Sequence, residues 1–171
     1  MNITITLAKP TDAPNMAEIH MRSWEVAYKD IIPAEYIKEK NATRHELWKR
    51  IVTDDNDRHY IIHADGKIAG MMTIALPNDV EVGDEYYELH GIYLLPEYFR
   101  RGIGTHAVNF AFDKARAANK TKMIVWVFAE NADAIKFYEK LGFVADGNTD
   151  IREYGKTVKS IRMTAEICEL L

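Results

Sequence analysis

Two arginines and two glycines stand together where an apolar, strand-like segment gives way to a helical one. The run reads Tyr98-Phe99-Arg100-Arg101-Gly102-Ile103-Gly104-Thr105. Glycines let a backbone approach an anion closely, and the first amides of a helix point outward, unpaired and partly positive. Arg100 and Arg101 could add charge-assisted contacts to phosphates. The segment predicts a cradle for a diphosphate, and a plain tight turn between strand and helix is the alternative.

The cradle differs from two familiar phosphate loops. It lacks the lysine and the spacing of a Walker A motif. It also lacks the third glycine and the early position in a βαβ unit that a dinucleotide-binding fingerprint requires. Other residues must therefore indicate which molecule carries the diphosphate.

A second group of residues follows at Asn131-Ala132-Asp133-Ala134-Ile135-Lys136-Phe137-Tyr138-Glu139-Lys140-Leu141-Gly142-Phe143. Its apolar side chains recur with helical spacing, so packing alone accounts for most of the pattern. Asn131 likewise has a simple interpretation as a helix N-cap.

Together the two segments resemble the GNAT superfamily of acetyl-CoA-dependent N-acetyltransferases. The resemblance lies in an R-R-G-I-G loop after a strand and an N-A-x-A-I-x-F-Y-x-K-L-G-F segment further on. It covers residues 65–143 closely, and the flanking elements fit the family's order. The pair of motifs is specific, whereas either motif alone is weak.

The resemblance implies one α/β domain over residues 1–171, with a mixed sheet of the GNAT acyl-CoA N-acyltransferase type and helices on both faces. Two central parallel strands, near 88–95 and 122–129, would splay apart. Acetyl-CoA would lie in that cleft, with its thioester beside the backbone of Ile92, Tyr93 and Leu94. The amide of Leu94 would stabilise the oxyanion of the reaction.

The same resemblance assigns the remaining cofactor contacts. Backbone amides would hold the pyrophosphate, and they belong to Arg100, Arg101, Gly102, Ile103, Gly104 and Thr105. Asn131 would contact the pantetheine arm. Tyr138 would lie near the sulfur and donate a proton to the leaving thiolate, a task that suits a phenol that is neutral at pH 7. Phe99 departs from the family pattern, which usually has Gln or Arg there, so any side-chain contact from that position is in question.

Acetyl transfer to an amine also needs a base, because a primary amine is mostly protonated near pH 7. Glu88 and His90 stand two residues apart on the strand before the cradle and so share a face. Glu88 is preferred, since a carboxylate could also attract an ammonium group. His90 is the alternative base, and a base that acts through water also stays open. His90 could equally be an ordinary packed histidine.

The sequence indicates the acceptor of the acetyl group less clearly than the cofactor. Trp24 and Tyr28 lie one turn apart on the first helix, where the resemblance places a substrate wall, although both also suit a core. Five acidic residues, Asp79, Glu81, Asp84, Glu85 and Glu88, stand within ten positions. They are interpreted either as a solvated loop or as a rim that attracts a small cationic amine, a polyamine or a protein N-terminus.

Composition limits the class of protein. The chain has 171 residues, is 47% apolar and 28% charged, and carries a net charge of −4, which disfavours broad nucleic-acid binding. The N-terminus lacks the layout of a signal peptide, and the longest apolar run, Met123 to Ala129, is too short to cross a bilayer. The single cysteine, Cys168, excludes an intrachain disulfide. We expect a cytoplasmic protein without a metal or a covalent acetyl-enzyme.

Periodicity predicts the elements that position these residues. Strands are expected at Ile3–Leu7, 59–64, 67–76, 86–95, 122–129, 143–145 and 156–165, with Asp65-Gly66 as a two-residue hairpin turn. Helices are expected after Asp12, from Pro33 through Ile51 with a break possible, at 103–119 and at 131–141. This order predicts antiparallel hairpins followed by a βαβ unit.

The resemblance carried by the two motifs implies direct acetyl transfer from acetyl-CoA to a primary amine. A non-catalytic acyl-CoA-binding regulatory module is the alternative, and another acyl-CoA as donor stays open. The resemblance also allows a homodimer through the late strands, although nothing from Asp146 to Leu171 identifies an interface.

Overall fold

The computed structural model describes residues 1–54, 58–77 and 82–167. The strands within these ranges are β1 (Ile3–Leu7), β2 (His59–Ala64), β3 (Lys67–Ala75), β4 (Tyr86–Leu94), β5 (Lys122–Phe128), β6 (Val144–Glu153) and β7 (Thr157–Glu166). The helices are α1 (Ala13–Ala27), α2 (Ala34–Asn41), α3 (Arg44–Asp54), α4 (Ile103–Ala117) and α5 (Ala132–Glu139). The strands form one mixed sheet in the order β1-β2-β3-β4-β5-β7-β6.

The first half of the sheet is an antiparallel meander. Strands β1 to β4 pair in sequence order, and the turn between β2 and β3 is Asp65-Gly66. Both turn residues have positive φ, 49° and 76°, as a primed hairpin turn requires. The hairpin prediction is therefore confirmed.

The second half contains the βαβ unit, because β4 and β5 are parallel and α4 connects them. Helix α4 packs its buried face, which includes Ile103, Ala107 and Ala111, on one side of the sheet together with Tyr138 and Phe143. Helices α1 and α3 pack on strand residues such as Ile61 and Met71. Because side chains alternate between the faces of a strand, this second core lies on the opposite side of the sheet. The predicted α/β class with helices on both faces is confirmed.

The central strand pair separates partway along its length. Pairing between β4 and β5 runs from Tyr86 opposite Lys122 to Leu89 opposite Val125 and then stops, although both strands continue. Strand β5 stays paired on its other edge with β7 as far as Phe128. The gap that opens between the carboxyl ends of two parallel strands is the predicted splay, and it lies directly before the cradle.

A β-bulge in β4 sets which side chains face which helices. The register with β3 passes from Gly91 to Leu89, so His90 is an extra residue on β4. Leu89 packs on the α4 side of the sheet, and so do Ile92 and Leu94 beyond the bulge. Tyr93 packs with α1 and α3 instead. The bulge therefore keeps both halves of β4 in register with their cores.

One element prediction needs correction. Strand β6 spans Val144–Glu153 rather than 143–145, because it is an edge strand with almost every side chain exposed, and it has no apolar alternation to reveal it. The break that the sequence allows in the helical region after Pro33 is present, since Ala42 and Thr43 separate α2 from α3. None of the helices in the described part of the chain has the length and apolar content needed to cross a membrane.

Candidate active site at the strand splay

The cradle loop adopts a backbone that few residues accept. Gly102 is the N-cap of α4 with φ +79°, and Arg100 also has a positive φ of 58°. A left-handed conformation costs a non-glycine residue about 1–2 kcal/mol. A Cβ added to Gly102 would meet no atom within 4 Å, so the loop surrounds open space. Such strain is typical of a backbone held for binding.

The backbone amides of the cradle lack acceptors. From Arg100 through Thr105, none of the six N–H groups donates a hydrogen bond to any described residue. No side chain caps α4, although the carbonyl of Gly102 accepts from the His106 amide at 3.2 Å. The partial positive charge at the start of α4 therefore faces outward uncompensated, as an anion site requires.

The arginine side chains of the cradle are solvent-exposed. Arg100 lies 3.8 Å from Asp133, with both side chains about nine-tenths exposed, so this pair adds little stability. Arg101 lies over the Tyr98 ring at 5.3 Å. Phe99 is extended and caps the short turn Pro96–Tyr98. The loop is thus shaped by its backbone, with Phe99 in place of a polar side chain.

Close packing joins the cradle to α5. A Cβ on Gly104 would come within 3.0 Å of the Phe137 ring, tighter than side-chain contacts normally allow. Gly104 therefore lets α5 approach the first turn of α4. This approach fixes where the rest of α5, including Tyr138, stands relative to the cradle.

The open edge of β4 presents a backbone donor to the splay. Leu95 donates its N–H to Ala69 on the β3 side at 2.9 Å. Because successive N–H groups of a strand point to opposite edges, the N–H of Leu94 points to the gap. Gly70 makes room here, since a Cβ on it would lie 2.5 Å from the Tyr93 carbonyl.

Tyr138 is buried in the core on the α4 side of the sheet, against which Ile92 and Leu94 of the splayed segment also pack. Its ring meets Phe137 and Phe143 edge-on, with centroids 5.0 and 5.4 Å away. Burial raises the pKa of the Tyr138 phenol well above its ordinary value, and the Tyr93 phenol raises it further. The hydroxyl is therefore neutral at physiological pH, and the structure brings it near the splayed segment of β4.

Asn131 is the N-cap of α5. Its Oδ1 accepts from the Ala134 amide at 3.1 Å, which confirms the simple interpretation of this residue. The side-chain amide nitrogen makes no hydrogen bond with the described residues and stays available as a donor. The cap and a ligand contact are therefore compatible.

Glu88 and His90 lie side by side at the bulge. Glu88 Oε1 is 3.4 Å from His90 Nδ1, and the Glu88 carboxylate is largely buried. Burial lowers the pKa of His90, and nearby Arg58 lowers it further. The imidazole is therefore neutral near pH 7, and both side chains are suited to accept a proton.

The two aromatic residues of the candidate substrate wall are packed against each other. Trp24 is buried and meets Tyr28 edge-on at 5.2 Å. Tyr28 in turn contacts Phe128 at the end of β5, with centroids 4.9 Å apart. Trp24 belongs to a buried core cluster, Tyr28 is partly buried against that cluster, and Phe128 connects the pair to the end of β5.

The acidic run is partly neutralised by lysines. Lys120 donates to Asp84 at 2.7 Å and lowers the pKa of that carboxyl, and Lys122 lies 3.9 Å from Glu85. Asp79, Glu81 and Cys168 lie outside the described residues.

Two buried polar residues beside Tyr93 are not among the site residues predicted from the sequence. His20 on α1 stacks on the Tyr93 ring at 4.6 Å, and Arg44 at the start of α3 is buried against Trp24. Helical spacing carried a signal for Arg44, because Trp48 and Val52 follow it at four-residue intervals and both are buried. A charged residue on an apolar, buried helix face is unusual, so Arg44 is a candidate functional residue.

His20 predicts how stability depends on pH. Trp48 Nε1 donates to its Nδ1 at 3.0 Å, and burial, together with nearby Arg44, lowers the pKa of His20 to about 3. The unfolded chain takes up this proton near pH 6.5, so stability from this group is present above that pH and is lost as pH falls toward 3.

Lowering the pH from 7 to 5 should therefore cost about 2 kcal/mol through His20 alone. Urea unfolding of the wild type and of His20→Gln at both pH values measures it. The variant should lose less stability between the two pH values, and equal losses would contradict a neutral buried His20.

Comparison with known proteins agrees with this geometry. A sequence model of the acetyltransferase (GNAT) family matches residues 14–143. An uncharacterized N-acetyltransferase of Methanocaldococcus jannaschii is 29% identical over 82% of this chain and 60% of its own length. Spermidine N(1)-acetyltransferase of Escherichia coli is 31% identical over 60% of this chain and 53% of its own. The chain thus spans little more than half the length of these two relatives.

A solved structure extends the match to the whole fold. The PaiA N-acetyltransferase of Thermoplasma acidophilum, solved with coenzyme A, has a TM-score of 0.77 at 22% identity and covers 97% of this chain and 99% of its own. The family match spans most of this chain, including the cradle, the splayed strands and α5, and ends at Phe143. The protein belongs to the acetyltransferase (GNAT) family.

Proposed function

We propose that this protein transfers the acetyl group of acetyl-CoA directly to a primary amine. The observation that carries the proposal is the run of six amides from Arg100 through Thr105, which have no acceptor in the described part of the chain and follow the gap between β4 and β5. A pyrophosphate satisfies several such amides at once, and the start of α4 favours its charge. The residues present therefore fit coenzyme A.

The splay accommodates the reacting end of the same molecule. The backbone of Ile92, Tyr93 and Leu94 would run beside the thioester, and the Leu94 N–H would stabilise the oxyanion that develops on the acetyl carbonyl. The amide nitrogen of Asn131 would bind the pantetheine arm. Tyr138 would donate its proton to the thiolate as the sulfur leaves, since its raised pKa keeps the hydroxyl protonated.

Glu88 is the proposed base that removes a proton from the ammonium of the acceptor, directly or through water. Its burial beside a neutral His90 supports this role, because few waters compete for the carboxylate. His90 is the alternative base. Trp24 and Tyr28 would border the acceptor from the α1 side.

Two acceptor classes follow from the sequence, a small cationic amine such as a polyamine and a protein N-terminus. One relative carries the name spermidine N(1)-acetyltransferase, which favours testing polyamines. The lysine partners of Asp84 and Glu85 weaken the argument for an acidic rim. A cytoplasmic location and a homodimer stay predictions.

The cradle is tested by Gly102→Val, with Gly66→Val as its matched control. Both glycines have positive φ, and a Cβ at either meets nothing within 4 Å, so the two variants carry similar backbone strain. A β-branched residue cannot hold that conformation comfortably, so the cradle must rearrange. Losing one or two charge-assisted hydrogen bonds should weaken CoA binding about 10–100-fold.

Calorimetric titration with CoA measures this effect. Gly66→Val should bind CoA like the wild type, because Gly66 lies in the β2–β3 turn. Equal affinity of Gly102→Val and the wild type would remove the cradle from the account.

A further inference from the structure

Arg44 is a buried cation that has no counter-charge among the residues that the structure describes. It is 7% exposed, and its guanidinium lies 4.5 Å from the centre of the Trp24 ring. Its Nε is fully buried and has no hydrogen-bond partner within residues 1–54, 58–77 and 82–167. The side chain makes no hydrogen bond or ion pair with any residue that the structure describes.

The groups around Arg44 do not neutralise it. Burial lowers the pKa of Arg44, and the phenols of Tyr93 and Tyr36 counteract this in part. His20 is neutral, because its pKa falls to about 3 and its Nδ1 accepts from Trp48. An arginine stays charged under all ordinary conditions. The cluster of Arg44, His20, Trp24, Tyr36 and Tyr93 therefore holds one positive charge.

Burying a charge without a partner destabilises a folded protein, so such a residue needs a reason beyond packing. The guanidinium of Arg44 lies over the ring of Trp24, the residue proposed to border the acceptor site from α1. Tyr93, its other neighbour, lies on the splayed segment of β4. The missing counter-charge is therefore expected from a ligand on this side of the sheet.

Glu88 supplies the complementary charge on the same side. Leu89 packs on the α4 side, so the preceding side chain, Glu88, points to the side of α1 and α3, where Tyr93 also packs. A carboxylate on β4 and a guanidinium on α3 thus lie on the same side of the sheet. That pair of charges matches a molecule that carries both an amine and an anion.

We propose that Arg44 binds a carboxylate of the acceptor, so that the acetylated amine belongs to an amino acid rather than to a polyamine. This inference rests on the proposed acetyltransferase function. The guanidinium would bind the carboxylate through charge-assisted hydrogen bonds, while Glu88 faces the amine. The aromatic rings of the cluster favour an acceptor with an apolar side chain.

Matched acceptors test the proposal. Methionine, methioninamide and 3-(methylthio)propylamine share one side chain and differ in the carboxylate, and phenylalanine, phenylalaninamide and phenethylamine form a second series. Thioester cleavage should give a higher kcat/KM for the acids than for their amides and amines, with spermidine poorer still. Amides or spermidine preferred over the acids would overturn the inference and leave the proposed function intact.

Substitution of Arg44 tests the residue itself. Arg44→Met should lower the ratio of kcat/KM for acid over amide about 10–100-fold, because one charged hydrogen-bonding partner is lost. Arg44→Lys should retain part of it. Arg50→Met, at an exposed position of the same helix, is the control and should leave the ratio unchanged.

Two further readouts separate binding from packing. The Tm of Arg44→Met should be unchanged or higher, since an unpaired buried charge is removed. Calorimetry with N-acetylmethionine and N-acetylmethioninamide in the presence of CoA needs no turnover. The wild type should bind the acid more tightly than the amide, and Arg44→Met should not. If Arg44→Met instead has a lower Tm and keeps the preference for the acid, Arg44 serves packing and not ligand binding. Failure to bind CoA or to acetylate any amine counts against the proposed function instead.

Discussion

Tyr138→Phe should lower kcat about 10²–10⁴-fold, the usual contribution of a positioned proton donor, with CoA affinity retained. The phenol is buried among Phe137 and Phe143 and near Tyr93, so it stays protonated until the thiolate leaves. Phenylalanine preserves the ring contacts and removes only the hydroxyl. Stopped-flow measurement of thiol release, with CoA calorimetry in parallel, separates the chemical step from binding.

Tyr86→Phe is the matched control for this variant. It removes a hydroxyl from β4 at a partly buried tyrosine next to Lys122, where β4 and β5 are still paired. Its kcat should equal that of the wild type. A Tyr138→Phe enzyme with normal kcat would require another proton donor, and a wild type that binds CoA without turnover would favour the regulatory module.

Glu88→Gln should also lower kcat about 10²–10⁴-fold if Glu88 is the base. Wild-type activity should rise with pH as the base loses its proton and then level off. Glutamine does not titrate, so this acidic limb should disappear from the pH profile of the variant. The glutamine keeps the size of the side chain and a position beside His90.

His90→Gln provides the comparison for Glu88. Because burial lowers the pKa of His90, its imidazole stays neutral to lower pH than a free histidine and could accept a proton over the whole working range. With Glu88 as the base, His90→Gln should keep the acidic limb of the pH profile. The opposite result, with the limb lost in His90→Gln and intact in Glu88→Gln, would assign the base to His90.

The cradle loop proposed to bind the cofactor could be predicted from sequence because its signals are local. A G-x-G at a strand-to-helix junction needs only its neighbours to predict free amides, and Gly102 does have the left-handed conformation that this requires. The Asp65-Gly66 turn and the apolar β5 are predictable for the same reason. Short-range backbone chemistry and side-chain periodicity carry this information.

The remaining features depend on contacts distant in sequence. The bulge at His90 follows from the register of β4 against β3, and Gly91 was its only local sign. The contact of Arg44 with Trp24 depends on α3 packing against α1; the buried stripe of α3 predicts burial at this position but not that contact. Strand β6 is defined by pairing with β7, since its own side chains are exposed.

The central claim is that the amides from Arg100 through Thr105 bind the pyrophosphate of CoA. Titration of ¹⁵N-labelled protein with CoA, followed by ¹H–¹⁵N correlation spectra, tests it most directly. The amide signals of these six residues should shift together and saturably, with smaller changes at the Gly66 turn. Saturable CoA binding that leaves the six signals in place, or no binding at all, would contradict the account.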